Sequence, residues 1–175
     1  MIPMLKFALP ATILMTVVLA GAPSAMAVTQ DQWYLNAPDD SYQLSLPTMD
    51  TVVRPRATGY RNEGTTSKAV ICGYGGSNFL GGTVVANLSA ISIDGATHQM
   101  SCTFVSGVSP LALTYVTKTM SVTASGDDHV YISNVDFGGA YGESFSNFNL
   151  SVTCNLPAQV SIINLQNLRR VDVGN

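Results

Sequence analysis

The sequence predicts an all-β protein: an antiparallel β-sandwich of about seven strands, with an irregular or extended N-terminal segment. Three observations carry this. From Asn147 to Leu156, apolar Phe148, Leu150, Val152, Cys154 and Leu156 alternate unbroken with Asn147, Asn149, Ser151, Thr153 and Asn155. Successive strand side chains point to opposite faces, so this stretch has one apolar and one wet face. His98, Met100, Cys102 and Phe104 repeat the arrangement against Gln99, Ser101 and Thr103. Turn clusters recur through the remainder with no amphipathic helix between them, the pattern of a sandwich.

In chain order, residues 1–27 read as a secretory signal. Lys6 precedes the apolar run Phe7–Gly21, and Ala25-Met26-Ala27 supplies an A-x-A cleavage site. The run is short for a membrane span of ~20 residues. Pro10 interrupts it and no stop-transfer charges follow, so no membrane span is expected in the mature chain. Cleavage after Ala27 leaves 148 of 175 residues, one domain's worth, with seven basic and eleven acidic residues. That acidic balance argues against nucleic acid and anionic membranes as partners.

Residues 28–66 carry weak pattern and read as an arm or extended edge segment, with Trp33 and Tyr34 as the large residues to dock it. Arg54, Arg56 and Arg61 form a small basic cluster, read as a solvated face ahead of an anion site. The sandwich domain spans residues 67–165. Expected strands are Lys68–Tyr74, Thr83–Ile93, His98–Ser106, Leu111–Thr123, Val130–Val135, Phe145–Leu156 and Gln159–Leu165. Asp94-Gly95 predicts a hairpin between the second and third. The phase change from Val84, Ala86 and Leu88 to Ile91 and Ile93 predicts a bulge near Ser89-Ala90. Residues 166–175 are expected to fray as a tail.

Cys72, Cys102 and Cys154 allow three single-bridge pairings, and export makes a disulfide chemically permissible. The shared inward phase of Cys102 and Cys154 favours that pair and leaves Cys72 as the free thiol.

Three features in order resemble a group of small secreted bacterial proteins of unassigned function. They are an Asn before a Thr/Ser-rich entry to a Cys-ending strand (Asn62 to Cys72), Cys-Thr-aromatic-x-Ser (Cys102 to Ser106), and Cys-x-Leu-Pro (Cys154 to Pro157). The resemblance covers roughly Tyr60 to Leu165 and implies a fold and an address outside the cytoplasm, not an activity. The group carries Cys-Pro where this chain has Cys72-Gly73, and an upstream cysteine that Val53–Tyr60 lacks. If that cysteine is the partner of Cys72 in the group, Cys72 is unpaired here.

No nucleophile elbow, zinc-binding H-E-x-x-H or C-x-x-C occurs, so no catalytic residue, metal or cofactor is assigned. Of the two histidines, His98 reads as a strand-start residue, and His129 follows Asp127 and Asp128 in an acidic turn. A hydrolase built on His129 and Asp128 ranks last among the function classes. Asp127, Asp128 and Asp136 offer oxygen ligands that suit calcium, though a short acidic turn explains them without a metal.

Two Gly-aromatic loops, Gly73–Gly82 and Phe137–Phe145, nominate Tyr74, Phe79, Tyr141 and Phe145 as ligand-binding residues for sugar or peptide. The alternative is that glycines serve the turns and the rings cap the core. The leading expectation is an exported, non-catalytic structural or interaction module of the envelope or extracellular space, whose partner would be a glycan or an envelope protein. A carbohydrate- or peptide-binding module using the loops is the second reading.

Overall fold

The computed structural model describes residues 29–36, 42–44, 51–57, 59–74, 83–107, 113–143, 145 and 150–172. They form two antiparallel sheets, an all-β fold with one short 3-10 turn and no α-helix among them. The strands are β1 (Thr29–Asn36), β2 (Tyr42–Leu44), β3 (Val53–Arg56), β4 (Gly59–Asn62), β5 (Lys68–Tyr74), β6 (Thr83–Ser92), β7 (His98–Ser106), β8 (Thr114–Val122), β9 (Asp128–Ser133), β10 (Leu150–Leu156) and β11 (Val160–Asp172). The first sheet runs β3-β4-β11-β6-β9, with β1 also on β11; the second runs β2-β5-β10-β7-β8.

The alternation that nominated β7 and β10 is the burial pattern. Met100, Cys102, Phe104, Leu150, Val152, Cys154 and Leu156 are buried, while the residues between them face outward. Val70, Met100, Phe104, Val152 and Leu156 of the second sheet and Leu88, Ile132, Ile162 and Leu165 of the first are fully buried in one core cluster. Burying each is worth about 1.5–3 kcal/mol, so the period-two pattern settles the register.

Cys102 and Cys154 are bonded, directly opposite one another on β7 and β10. The bridge lies within the second sheet, where it joins adjacent strands. Cys72, on β5, is free and buried, and burial alone pushes its thiol far up from the ordinary cysteine range.

Three expectations are corrected, and of the two readings of the N-terminal segment the extended one holds. The Asp94-Gly95 turn does not close a hairpin: β6 belongs to the first sheet and β7 to the second. The Asp94 carboxylate takes hydrogen bonds from Ser92 Oγ (2.9 Å) and Ala96 N (3.0 Å) and lies 2.9 Å from His98 Nε2. It fixes a corner that carries the chain from one sheet to the other, because both strands have an apolar face to bury against the same core. The bulge lies opposite Ser89 and Ala90, not in them. The register shifts between Ile162 and Asn164 of β11, and β6 keeps Ala86, Leu88 and Ala90 buried. The tail does not fray at Gln166, since β11 runs thirteen residues to Asp172. The N-terminal segment is extended: β1, β3 and β4 add to the first sheet and β2 to the second. β1, β2 and β3 each have one strand neighbour, a place at the sheet margin that asks for little apolar pattern. Pro55 sits in β3, the outermost strand, where its missing N–H costs no ladder bond.

β11 is the hub. Its first residues pair with β4, its later ones with β1 in an eight-residue register, and its other edge with β6. The crossing from β10 to β11 takes only Pro157, Ala158 and Gln159, the last at φ 57°. Asn62, fully buried, holds this crossing. Its Nδ2 donates to the carbonyls of Thr66 (2.9 Å), Leu156 (3.0 Å) and Pro157 (3.1 Å), and its Oδ1 accepts from Gly64 N (3.0 Å). Gln159 N donates to Asn62 O at 2.9 Å. Gly59 allows β4 to approach: at φ 122°, a Cβ there would lie 2.0 Å from the Ile162 carbonyl oxygen.

Where the sheet edges β8 and β9 meet, Lys118 Nζ donates to Tyr131 O (2.8 Å) and pairs with Asp136 Oδ1 (2.7 Å). An ammonium occupies an acceptor that would otherwise invite another strand.

Candidate binding face

The four ring residues nominated by the sequence do not converge. Tyr74 is buried, stacked 6.5 Å from Phe104, and its hydroxyl donates to Asn87 O at 3.1 Å. Phe145 is buried edge-on against Phe137 at 5.6 Å. As ligand-facing residues these two are corrected: both rings serve the core, because an aromatic at the open end of a sandwich gains more by covering it than by facing water. Tyr141 is 91% exposed. Phe79 lies outside the described residues.

The polar sites also part company. Asp128 accepts from the Thr123 amide and, at 2.7 Å, from the Thr123 hydroxyl, bonds that hold its carboxyl below the usual range. Asp136 loses solvation, yet Lys118 and the Ser133 amide outweigh that and lower its pKa. These carboxylates are spent on separate partners, and no three metal-ligating residues cluster among the described residues. His129 has a partner the sequence did not reveal: Ser89 Oγ, 2.6 Å from Nδ1. They meet because Ser89 and His129 are directly opposed on β6 and β9. Ser89 is buried and Asp128 is turned to Thr123, so Ser89, His129 and Asp128 are not arranged as an exposed nucleophile with an oriented base.

What the fold brings together instead is the outer face of the first sheet. Opposed residues of an antiparallel pair share a face. One rank therefore reads Trp33, Leu168, Val85 and Ser133 across β1, β11, β6 and β9. The next reads Gln166, Asn87 and Tyr131 across β11, β6 and β9, and the third begins with Asn164, then Ser89 and His129. Val130 and Ile132 are buried beneath while Tyr131 is 50% exposed, which identifies this face as the outer one. Trp33, 51% exposed, stands at the opposite margin.

Between these rings lie neutral polar groups. Asn87 Nδ2 donates to Gln166 Oε1 at 3.2 Å, but Asn87 Oδ1 is buried with no hydrogen-bond partner. An acceptor so placed costs about 1–3 kcal/mol until a donor reaches it. Asn87 also heads one of two glycosylation sequons (Asn87-Leu88-Ser89), and its burial leaves no room for a glycan there. The His129 ring packs 5.8 Å from Tyr131.

Two ion pairs flank the face. Arg170 donates to both Asp31 carboxylate oxygens (2.9 and 3.2 Å) and to Gly142 O (2.7 Å). The last bond draws the Tyr141 loop toward the Trp33 margin. At the opposite corner Arg56 is bidentate on Glu63 (2.7 and 2.6 Å), which lowers the Glu63 pKa, and Arg54 donates to Thr51 O.

Trp33 and Tyr131 were legible as aromatics, but not as partners. Period two around Val130 and Ile132 places Tyr131 on a wet face; no sequence pattern places Trp33 three strands away on the same one. No helix among the described residues is long and apolar enough to cross a membrane. No protein-family model, curated protein or solved structure matches the chain.

Proposed function

We propose that this protein is an exported, non-catalytic β-sandwich that works as an interaction module of the envelope or extracellular space. Its recognition surface is the outer face of the first sheet. The observation that carries the reading is two half-exposed aromatic rings, Trp33 and Tyr131, bracketing a neutral amide row that contains an unsatisfied acceptor. Exposed aromatics beside oriented polar groups are typical of binding surfaces. The leader sequence, the intact disulfide and the resemblance to small secreted proteins support the address.

Co-sedimentation with isolated envelopes of the producing cell tests it. The native protein is expected to be retained. The double variant Trp33→Ser, Tyr131→Ser is expected to lose retention by at least about tenfold, or about 1.4 kcal/mol, with its unfolding temperature unchanged. Equal retention of the two proteins refutes the proposal.

A further inference from the structure

We infer that the β3–β4 hairpin carries a phosphoryl-binding site on the outer face of the first sheet, where Arg54 takes the dianionic phosphate of a monoester and Arg56 and Arg61 supply further positive charge. The site stands apart from the Trp33–Tyr131 pair and does not depend on it.

Charge is the starting point. Residues 51–67 hold three arginines and a single acid, Glu63, a surplus of two positive charges in a chain of formal net charge −3. The ladder gathers them. Arg54 and Arg61 are directly opposed on β3 and β4, and the neighbouring opposed pair, Val53 and Asn62, is buried, so both arginines belong to the outer face. Arg56, two residues along β3 from Arg54, shares that face. All three act on Glu63: the Arg56 hydrogen bond first, then the charges of Arg56, Arg61 and Arg54, hold its carboxyl below the usual range.

Pairing leaves the cluster unbalanced. Both Glu63 oxygens are taken by Arg56. Arg54 spends Nε on the neutral carbonyl of Thr51, and its two terminal nitrogens make no further hydrogen bond among the described residues. Arg61 is engaged elsewhere and adds its charge to the field. Like charges directly opposed across a ladder destabilise it, and an anion set beside Arg54 and Arg61 offsets that cost. From Arg61 the rank continues to Ser161, whose hydroxyl is buried with no hydrogen-bond partner, so the floor beneath the arginines is polar and not fully satisfied. Arg54 and Arg56 are exposed and Arg61 is half-buried, so the ligand meets side chains already at the surface and nothing buried has to open.

The amount of charge selects the ligand. A guanidinium fork matches carboxylate and phosphate alike, but a carboxylate brings one charge and Glu63 already supplies one. A phosphate monoester brings roughly 1.5 to 2 negative charges and three acceptor oxygens, which matches the surplus. Nucleic acid offers monoanionic diesters, and the acidic remainder of the chain repels a long anionic polymer or bilayer.

Isothermal titration of the exported protein at about pH 7.5, where the monoester is dianionic, tests this with inorganic phosphate, glucose 6-phosphate, dimethyl phosphate and acetate as probes. Glucose 6-phosphate is expected to bind saturably with a dissociation constant of about 1 mM or below, and at least about fivefold more weakly at roughly 500 than at 50 mM salt. Dimethyl phosphate and acetate are expected to bind at least about tenfold more weakly. Arg54→Gln is expected to weaken glucose 6-phosphate binding at least about tenfold, and Glu63→Gln, which releases Arg56, to strengthen it at least about threefold. Arg170→Gln, which removes an arginine nine residues along β11 from Ser161, is expected to leave it unchanged.

Binding of inorganic phosphate alone overturns the ester and supports the phosphoryl site. Acetate binding as tight as that of glucose 6-phosphate overturns the selection for a dianion. Binding weakened by Glu63→Gln overturns the surplus of charge as its cause. No binding of either phosphate dianion, or binding unaltered by Arg54→Gln, overturns the site, while the reading of the Trp33–Tyr131 face is decided separately by envelope retention.

Discussion

Replacing Asn62 with alanine isolates what one buried amide contributes to joining the two sheets. The carboxamide serves three carbonyls and one amide N–H where the chain passes from β10 to β11. Thr66 and Gly64 have some access to water, so losing their bonds costs little. The carbonyls of Leu156 and Pro157 are buried, and each left unsatisfied costs about 1–3 kcal/mol. The sum is about 3 kcal/mol, with a cavity of a few atoms added. For a chain of this size a urea slope of about 2 kcal/mol per molar turns that into a midpoint lowered by ~1.5 M. The assay is urea unfolding followed by tryptophan fluorescence and circular dichroism, with the disulfide intact. The slope should be unchanged, because the same surface is exposed on unfolding. Asn62→Asp should cost at least as much, since it removes the donors and buries a charge. A midpoint within ~0.5 M of the native value would refute the reasoning and show that the crossing is held by strand pairing alone.

Two further tests concern sulfur and acid. Thiol labelling should detect no reactive cysteine in the native protein, one in denaturant (Cys72), and three after reduction. Removing the bridge by Cys102→Ala, Cys154→Ala should cost about 4 kcal/mol, the chain-entropy value for a 52-residue separation, measured by urea unfolding. For pH, Asp94 is held down to about 2, first by the hydrogen bond from His98, then by Ala96 N and Ser92. A folded pKa below the unfolded one gives stability that is fully present above about pH 4 and lost as pH falls toward 2. An acid-unfolding series should therefore show Asp94→Asn with a shallower loss between those limits. Identical slopes for the two proteins would refute the assignment.

The second sheet was readable in outline because its strands obey a strict rule. In β10, and in β7 from Met100 to Phe104, every second residue is apolar and buried, so pattern, burial and cysteine phase agree. The same rule failed at Asp94-Gly95, where local turn chemistry is compatible both with a hairpin and with a corner between sheets. Which partner β6 takes depends on β11, some seventy residues later. The Gly-aromatic loops misled for a related reason: a tyrosine beside glycines reads alike whether its ring caps a core, as Tyr74 does, or faces solvent, as Tyr141 does.

By itself the sequence determined the class of fold, the position of the inward residues in β7 and β10, and the disulfide partners favoured by phase. These are local properties, fixed by a two-residue period and the cost of exposing apolar surface. The tertiary structure alone decided the order of strands, the role of β11 as hub, the service of Asn62, and the meeting of Trp33 with Tyr131 on one face. Pairing between distant segments is settled by which arrangement buries all the apolar faces at once, and no single stretch of chain carries that information.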